Sequence, residues 1–179
     1  MTETTVTTPY VFVYDVFLKD AVKHKTISPY VKTWARAEMP GKLYQLPTGL
    51  PILVEEDAPV AVAAPAPAPA ASAPAPAAPA ATPAPASKVY GEVMSFQNLE
   101  EVLKMMDMQE GYRADALEAS RMLRVEREVT VQATGEKVKA VVYIFPKEKF
   151  NAKEMYAVHA HGGDWRKFVM MPRFDGYQH

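Results

Sequence analysis

The chain has 179 residues, a formal net charge of −1 and no cysteine. This excludes disulfides, thiolate metal sites and cysteine nucleophiles, and gives no electrostatic reason to expect nucleic acid or an anionic membrane as partner. Between Ala58 and Ser87, 25 of 30 residues are alanine or proline; the remaining 149 or so suit one compact domain.

Met1 to Pro9 is rich in threonine and lacks the basic start and apolar run of a signal peptide. The longest uncharged stretch is broken by prolines, so no membrane segment and a cytoplasmic location are expected. Tyr10 to Tyr14 then forms a run of β-branched and aromatic residues, the composition of a strand buried on both faces, ended by Asp15. Lys42 to Leu46 and Ile52 to Glu55 are the next strand candidates, with Thr48-Gly49-Leu50-Pro51 as the turn between them.

Ala58 to Ser87 has no large side chains for a core and too many prolines for a ladder, so it is expected to be an irregular, mobile insertion within one domain spanning 1–179. Enlarging a loop from about six to about thirty residues costs only about 1.4 kcal/mol of closure entropy, which a fold tolerates. It reads as a solubilising spacer or as an arm for a protein partner that recognises proline.

After a strand over Val89 to Phe96, the clearest helix starts behind Asn98, which caps the free amides while Glu101 at the third position completes a capping box. Leu99, Val102, Leu103 and Met106 then share one face. The stripe is most simply core, with a methionine-lined groove as the alternative. Met122 to Ala133 and Lys137 to Phe145 form a hairpin around Thr134-Gly135. Many strands and few helices point to an α+β fold, a small mixed β-barrel of about six strands with flanking helices.

No Gly-x-Ser-x-Gly elbow, phosphate-binding glycine loop or His-Glu-x-x-His occurs, so serine-hydrolase, phosphoryl and zinc-peptidase chemistry lose their usual support. His159 and His161 can reach a metal together from one strand face, with Asp164 or His179 completing the set; two solvated loop histidines are the plainer reading, and no metal is expected.

A strand ending in Tyr14 is followed by Pro40-Gly41-Lys42-Leu43-Tyr44, Gly49-Leu50-Pro51 and Val89-Tyr90-Gly91-Glu92-Val93. Asp107-Met108-Gln109-Glu110-Gly111 and the late Gly163-Asp164-Trp165 complete the set. In this number and order the motifs resemble the gamma-glutamylcyclotransferase-like family. The resemblance implies a small mixed β-barrel and attack of a γ-glutamyl α-amine on its own γ-carbonyl. That attack releases an amine and 5-oxoproline with no metal or organic cofactor. It makes Glu110 the general acid/base, a task that needs a pKa raised toward neutrality. Without the motif Glu110 is an ordinary acidic residue in a turn after a helix. The resemblance also assigns Tyr14, Asp15, Val16, Phe17, Leu18, Gly41 and Tyr44 to a small-molecule γ-glutamyl ligand. Tyr14, Gly41, Tyr44 and Glu110 are accordingly expected to converge on one cavity.

The chain departs from the pattern where the family has Tyr-Gly-Ser/Thr-Leu, a loop whose amides hold the glutamyl end; here it reads Tyr14-Asp15-Val16-Phe17-Leu18. Asp tolerates left-handed backbone angles, so the turn can survive. Its carboxylate, at about 4 Å from that of a substrate, is repelled by about 1 kcal/mol in water and about 4 kcal/mol at an effective dielectric of 20. Met122 also stands where the family often has tyrosine ahead of Arg124. Two functions remain. One is an enzyme, weak on simple γ-glutamyl amino acids or shifted toward a substrate that lacks a carboxylate or carries a positive group. The other is a non-catalytic binding or assembly module tethered by the Ala/Pro segment.

Overall fold

β1 (Tyr10–Val13) pairs antiparallel with β5 (Lys88–Phe96) on one side and meets β7 (Lys137–Ile144) in parallel on the other. Having partners on both edges, its uninterrupted apolar run is buried from Val11 to Val13. In this computed structural model, which describes residues 8–55 and 87–170, the ladder continues through β2 (Val31–Pro40) and β6 (Leu123–Val131). It closes as a mixed barrel in the order β1-β5-β2-β6-β7. The expected insertion 58–87 lies outside the described residues except for Ser87.

The α+β barrel follows the sequence reading, but it has five strands rather than about six. β3 (Lys42–Gln45) and β4 (Pro51–Val54) leave it and form a separate sheet with β8 (Val158–His159), ordered β4-β3-β8. Gly41 makes the corner: its φ of +150° and the 3.3 Å that would separate a Cβ from the Val54 carbonyl oxygen leave room for glycine alone. β2 has no β-branched run to announce it. Its period of two is carried by small Ala35 and Ala37 with Met39, against exposed Lys32, Trp34 and Arg36.

α2 (Leu99–Glu110) begins as expected. The Asn98 side chain accepts from the Glu101 amide at 3.4 Å, and its amide nitrogen donates to the Glu101 carboxylate at 2.8 Å. Val102, Leu103 and Met106 bury its apolar stripe. A four-residue helix α1 (His24–Ile27) follows the β1 loop, and α3 (Trp165–Met170) ends the described chain. Among the described residues no helix is long and apolar enough to cross a membrane.

One buried carboxylate ties the loop after β1 to this frame. Glu92, fully buried on β5, accepts the Lys19 amide at 2.7 Å and pairs with Arg166 of α3 at 3.0 Å. Removing the guanidinium leaves a buried charge without its cation, which is the costly way to break such a pair. Arg166→Ala should therefore lose about 3 kcal/mol in urea unfolding, and Glu92→Gln in the same variant should restore part of it. Equal stability of Arg166→Ala and the native chain would show that the brace carries no load.

Candidate active site

Glu110 is the last residue of α2, not a residue of the turn after it. It falls four positions after Met106 and therefore continues the apolar stripe toward the barrel. Gly111 stops the helix in the left-handed conformation, at φ 68°, and the Tyr112 amide returns to the Asp107 carbonyl at 2.9 Å. One turn earlier Asp107 clamps the helix end: it accepts from the Tyr143 hydroxyl and from Arg124, each at 2.6 Å. Burial pushes the Asp107 carboxyl up even so, with Tyr143 and Arg124 pulling the other way. Arg121 caps the helix, donating to the carbonyls of Glu110 at 3.1 Å and Gln109 at 2.5 Å.

Facing Glu110 is the loop after β1. Asp15 accepts the Phe17 amide on its carboxylate at 3.0 Å, and its carbonyl takes the Leu18 amide at 3.2 Å, closing a tight turn. The turn needs no left-handed aspartate at this position; the non-glycine residue with positive φ in the loop is Asp20, at 71°. Val16 lines the cavity, whereas Phe17 and Leu18 point into the core.

Asp15 and Glu110 share a cavity of about 150 Å³. Leu46, Ile52 and Met122 supply apolar wall, and Lys23 and Arg121 supply cations. The two carboxyl groups face each other closely enough for each to set the other's charge. Burial, then the Asp15 charge, pushes the Glu110 carboxyl up to about 8, with Arg121 and Lys23 opposing. Burial also raises Asp15, but the Phe17 amide, Glu110 and Lys23 favour its charged form. The proton of the pair accordingly rests on Glu110.

Tyr14 stands behind the floor of the cavity, donating to the Tyr143 carbonyl at 2.8 Å and accepting the Leu53 amide at 3.3 Å. Its phenol is pushed well above the ordinary value, chiefly by burial and then by the charges of Asp15 and Glu110. Gly41 and Tyr44 do not join it. Tyr44 packs on Phe150 and His159, with ring centroids 4.6 and 5.1 Å away, and Gly41 borders a different cleft with Ser87 and Gly163. The reason is the departure of β3 from the barrel. Leu46, at the far end of that strand, is the residue that reaches the cavity. Five strand steps separate it from Gly41, about 16 Å at roughly 3.3 Å per residue.

His159 and His161 lie 3.1 Å apart through their Nδ1 atoms, but among the described residues no three His, Cys, Asp or Glu side chains gather into a metal site. His179 lies outside them.

Lys23 and Arg121 were not legible as site residues. Lys23 comes eight residues after Asp15 on the approach to α1, Arg121 eleven after Glu110 ahead of β6, and no spacing rule links either to a carboxylate. Glu110 did carry a local signal, its place on the apolar stripe.

The closed mixed barrel agrees with the comparisons to known proteins. The family model described as gamma-glutamyl cyclotransferase, AIG2-like, matches residues 66–167. The chain belongs to this family. No curated protein matches the chain. Among solved structures, YkqA from Bacillus subtilis is similar at 17% identity and a TM-score of 0.53, over 90% of this chain and 41% of that one. This gamma-glutamyl cyclotransferase-like chain thus spans less than half of the Bacillus protein. An Arabidopsis thaliana protein solved in solution is similar at 22% identity and a TM-score of 0.50, covering 94% of this chain and 82% of its own. An AIG2-like protein from mouse is similar at 15% identity and a TM-score of 0.48, over 95% of this chain and 88% of that one. For the Bacillus and Arabidopsis proteins the likeness at such identities is one of fold.

The raised Glu110 pKa makes stability depend on pH. A carboxyl that keeps its proton longer when folded than when unfolded contributes stability that is complete below about pH 4.5 and is lost as pH rises through about 8. The native chain should lose on the order of a few kcal/mol of unfolding free energy between about pH 5 and pH 8.5. Glu110→Gln, which keeps the shape and the donor, should flatten most of that loss. Equal slopes for the two proteins would place the carboxyl in solvent.

Proposed function

We propose that this chain is a cyclotransferase acting on γ-glutamyl amines, and that Glu110 moves the proton. The observation that carries the reading is a carboxyl buried at a helix end on the wall of a cavity, where burial and the neighbouring Asp15 push it up to about 8. A group so poised can both accept and donate near neutrality, as a step that first deprotonates an amine and then protonates another requires.

The α-amine nitrogen of the substrate attacks its own γ-carbonyl carbon while ionised Glu110 takes the proton that the nitrogen sheds. Collapse of the tetrahedral adduct breaks the bond to the leaving amine, and Glu110 returns the proton to that nitrogen. The products are 5-oxoproline and a free amine. An amine replaces an amine at an acyl carbon, so atoms and charge balance without a redox step. The volume of about 150 Å³ suits the glutamyl end, with the leaving group toward solvent.

One observation favours a second reading, binding without turnover. Burial and the facing Asp15 keep Glu110 in its protonated form, so the free protein holds little of the base. The two readings separate in an assay of 5-oxoproline release from γ-glutamyl amines against pH. Turnover requires kcat/KM to rise with pH through about 8 as Glu110 ionises between Asp15, Lys23 and Arg121. Glu110→Gln should lower the rate by about a hundredfold or more. No 5-oxoproline from the native chain at any pH, or full activity in Glu110→Gln, would overturn the cyclotransferase reading.

A further inference from the structure

The polar groups of the cavity are not distributed evenly. Asp15 and Glu110 face each other in the cavity, while Lys23 and Arg121 enter from other segments, the approach to α1 and the approach to β6. Both cations bind neutral acceptors. The Lys23 ammonium is hydrogen-bonded to the side-chain oxygen of Gln109. Arg121 spends its Nε and one terminal nitrogen on the helix-end carbonyls and comes only to 3.9 Å from the Glu110 carboxylate. Gln109, between them in sequence with Glu110, therefore spaces the two cations along the helix end.

With the proton on Glu110, one anion faces two cations. Isolated in solvent such a set would be scattered by its hydration. Here Asp15 is held by the Phe17 amide and Arg121 by two carbonyls, so the charges are oriented before any ligand arrives. With Glu110 neutral, the lining holds two cations, Lys23 and Arg121, against one anion, Asp15, beside an apolar wall of Leu46, Ile52 and Met122.

From this geometry we infer that Lys23 and Arg121 hold the α-carboxylate of the ligand while Asp15 takes its α-ammonium. The site therefore selects molecules with a free α-amino acid end. The ligand's two methylenes lie along the apolar wall, and its γ-carbonyl reaches outward. The inference rests on the proposed function for the identity of the ligand. It gives Asp15 the opposite meaning from simple repulsion. The carboxylate that would repel a substrate acid on its own is outnumbered by cations suited to that acid, and attracts the ammonium, which gives its first proton to solvent before the attack in which Glu110 takes the second. Lys23 and Arg121 are then specificity residues supplied by side chains.

The test is binding of three probes by calorimetry to the full chain. They are γ-glutamyl methylamide, the same molecule without its α-carboxylate (4-aminobutanoyl methylamide), and the same molecule without its α-amine (glutaric acid monomethylamide). The intact probe should bind about tenfold or more tightly than either truncated one, the effect of one charge-assisted contact in a partly desolvated site. Lys23→Gln should erase the preference for the carboxylate and keep that for the amine. Asp15→Asn should do the reverse. Because Arg121 also caps α2, Arg121→Lys is paired with Arg121→Gln. The lysine variant should retain part of the carboxylate preference and the glutamine variant none, with thermal midpoints confirming that both are folded. Equal binding of the three probes to the native chain would overturn the inference, as would a folded Lys23→Gln that still prefers the carboxylate. Selective binding with no 5-oxoproline released from the intact probe would leave this inference standing and defeat the cyclotransferase reading instead.

Discussion

Water is kept from one carboxyl group at the end of a helix, and the rest of the site is arranged around the consequence. Glu110 occupies the position where the apolar stripe of α2 would place another Leu or Met, so the packing that buries Met106 also buries the carboxyl. Its ionised form is opposed by lost hydration, by Asp15 and by the partial negative charge at a helix C-terminus. Arg121 partly offsets these by binding the last carbonyls. The outcome is a proton shared with Asp15 rather than two buried anions.

Two braces hold that pair in register. Asp107 fixes the helix end to β6 and β7 through Arg124 and Tyr143, and Arg124 also lies over the Tyr112 ring at 4.7 Å. On the other side Glu92 fixes the far end of the β1 loop to α3 through Lys19 and Arg166. Neither brace touches the cavity. Both are charged groups withdrawn from water at a cost in stability, and both position a loop or helix end to which a carboxyl of the pair belongs. The Asp-x-x-Glu-Gly and Gly-Glu motifs therefore divide the labour: Glu110 faces the cavity, while Asp107 and Glu92 serve the scaffold.

The loop after β1 shows how a departure from a family pattern can be absorbed. Asp15 closes its turn with its own carboxylate, accepting the Phe17 amide. That amide is then no longer available to a ligand, and the cations that line the cavity are the side chains of Lys23 and Arg121. Buried carboxyl groups set face to face in this way destabilise a fold, and such perturbed groups concentrate at functional sites.

Local chemistry made several features legible in the sequence. The Asn98 and Glu101 box starts α2, Gly111 ends it, the spacing of Leu99 to Met106 orients it, Thr134-Gly135 reverses the β6–β7 hairpin, and the run from Tyr10 announces a strand buried on both faces. These depend on neighbours within a few residues, and so did the recognition of Glu110 and the β1 loop as motif positions. The exit of β3 and β4 from the barrel, the alanine-lined β2, and the arrival of Lys23 and Arg121 beside the carboxyl pair depend on partners far along the chain. Tyr44 shows the limit plainly. Its motif is intact, yet it packs on Phe150 and His159, because strand pairing across more than a hundred residues decided which end of β3 faces the cavity. The sequence by itself determined which groups could do the chemistry. Only the tertiary structure decided which of them meet, since charges and hydrogen bonds act over a few ångströms of space whatever their separation in the chain.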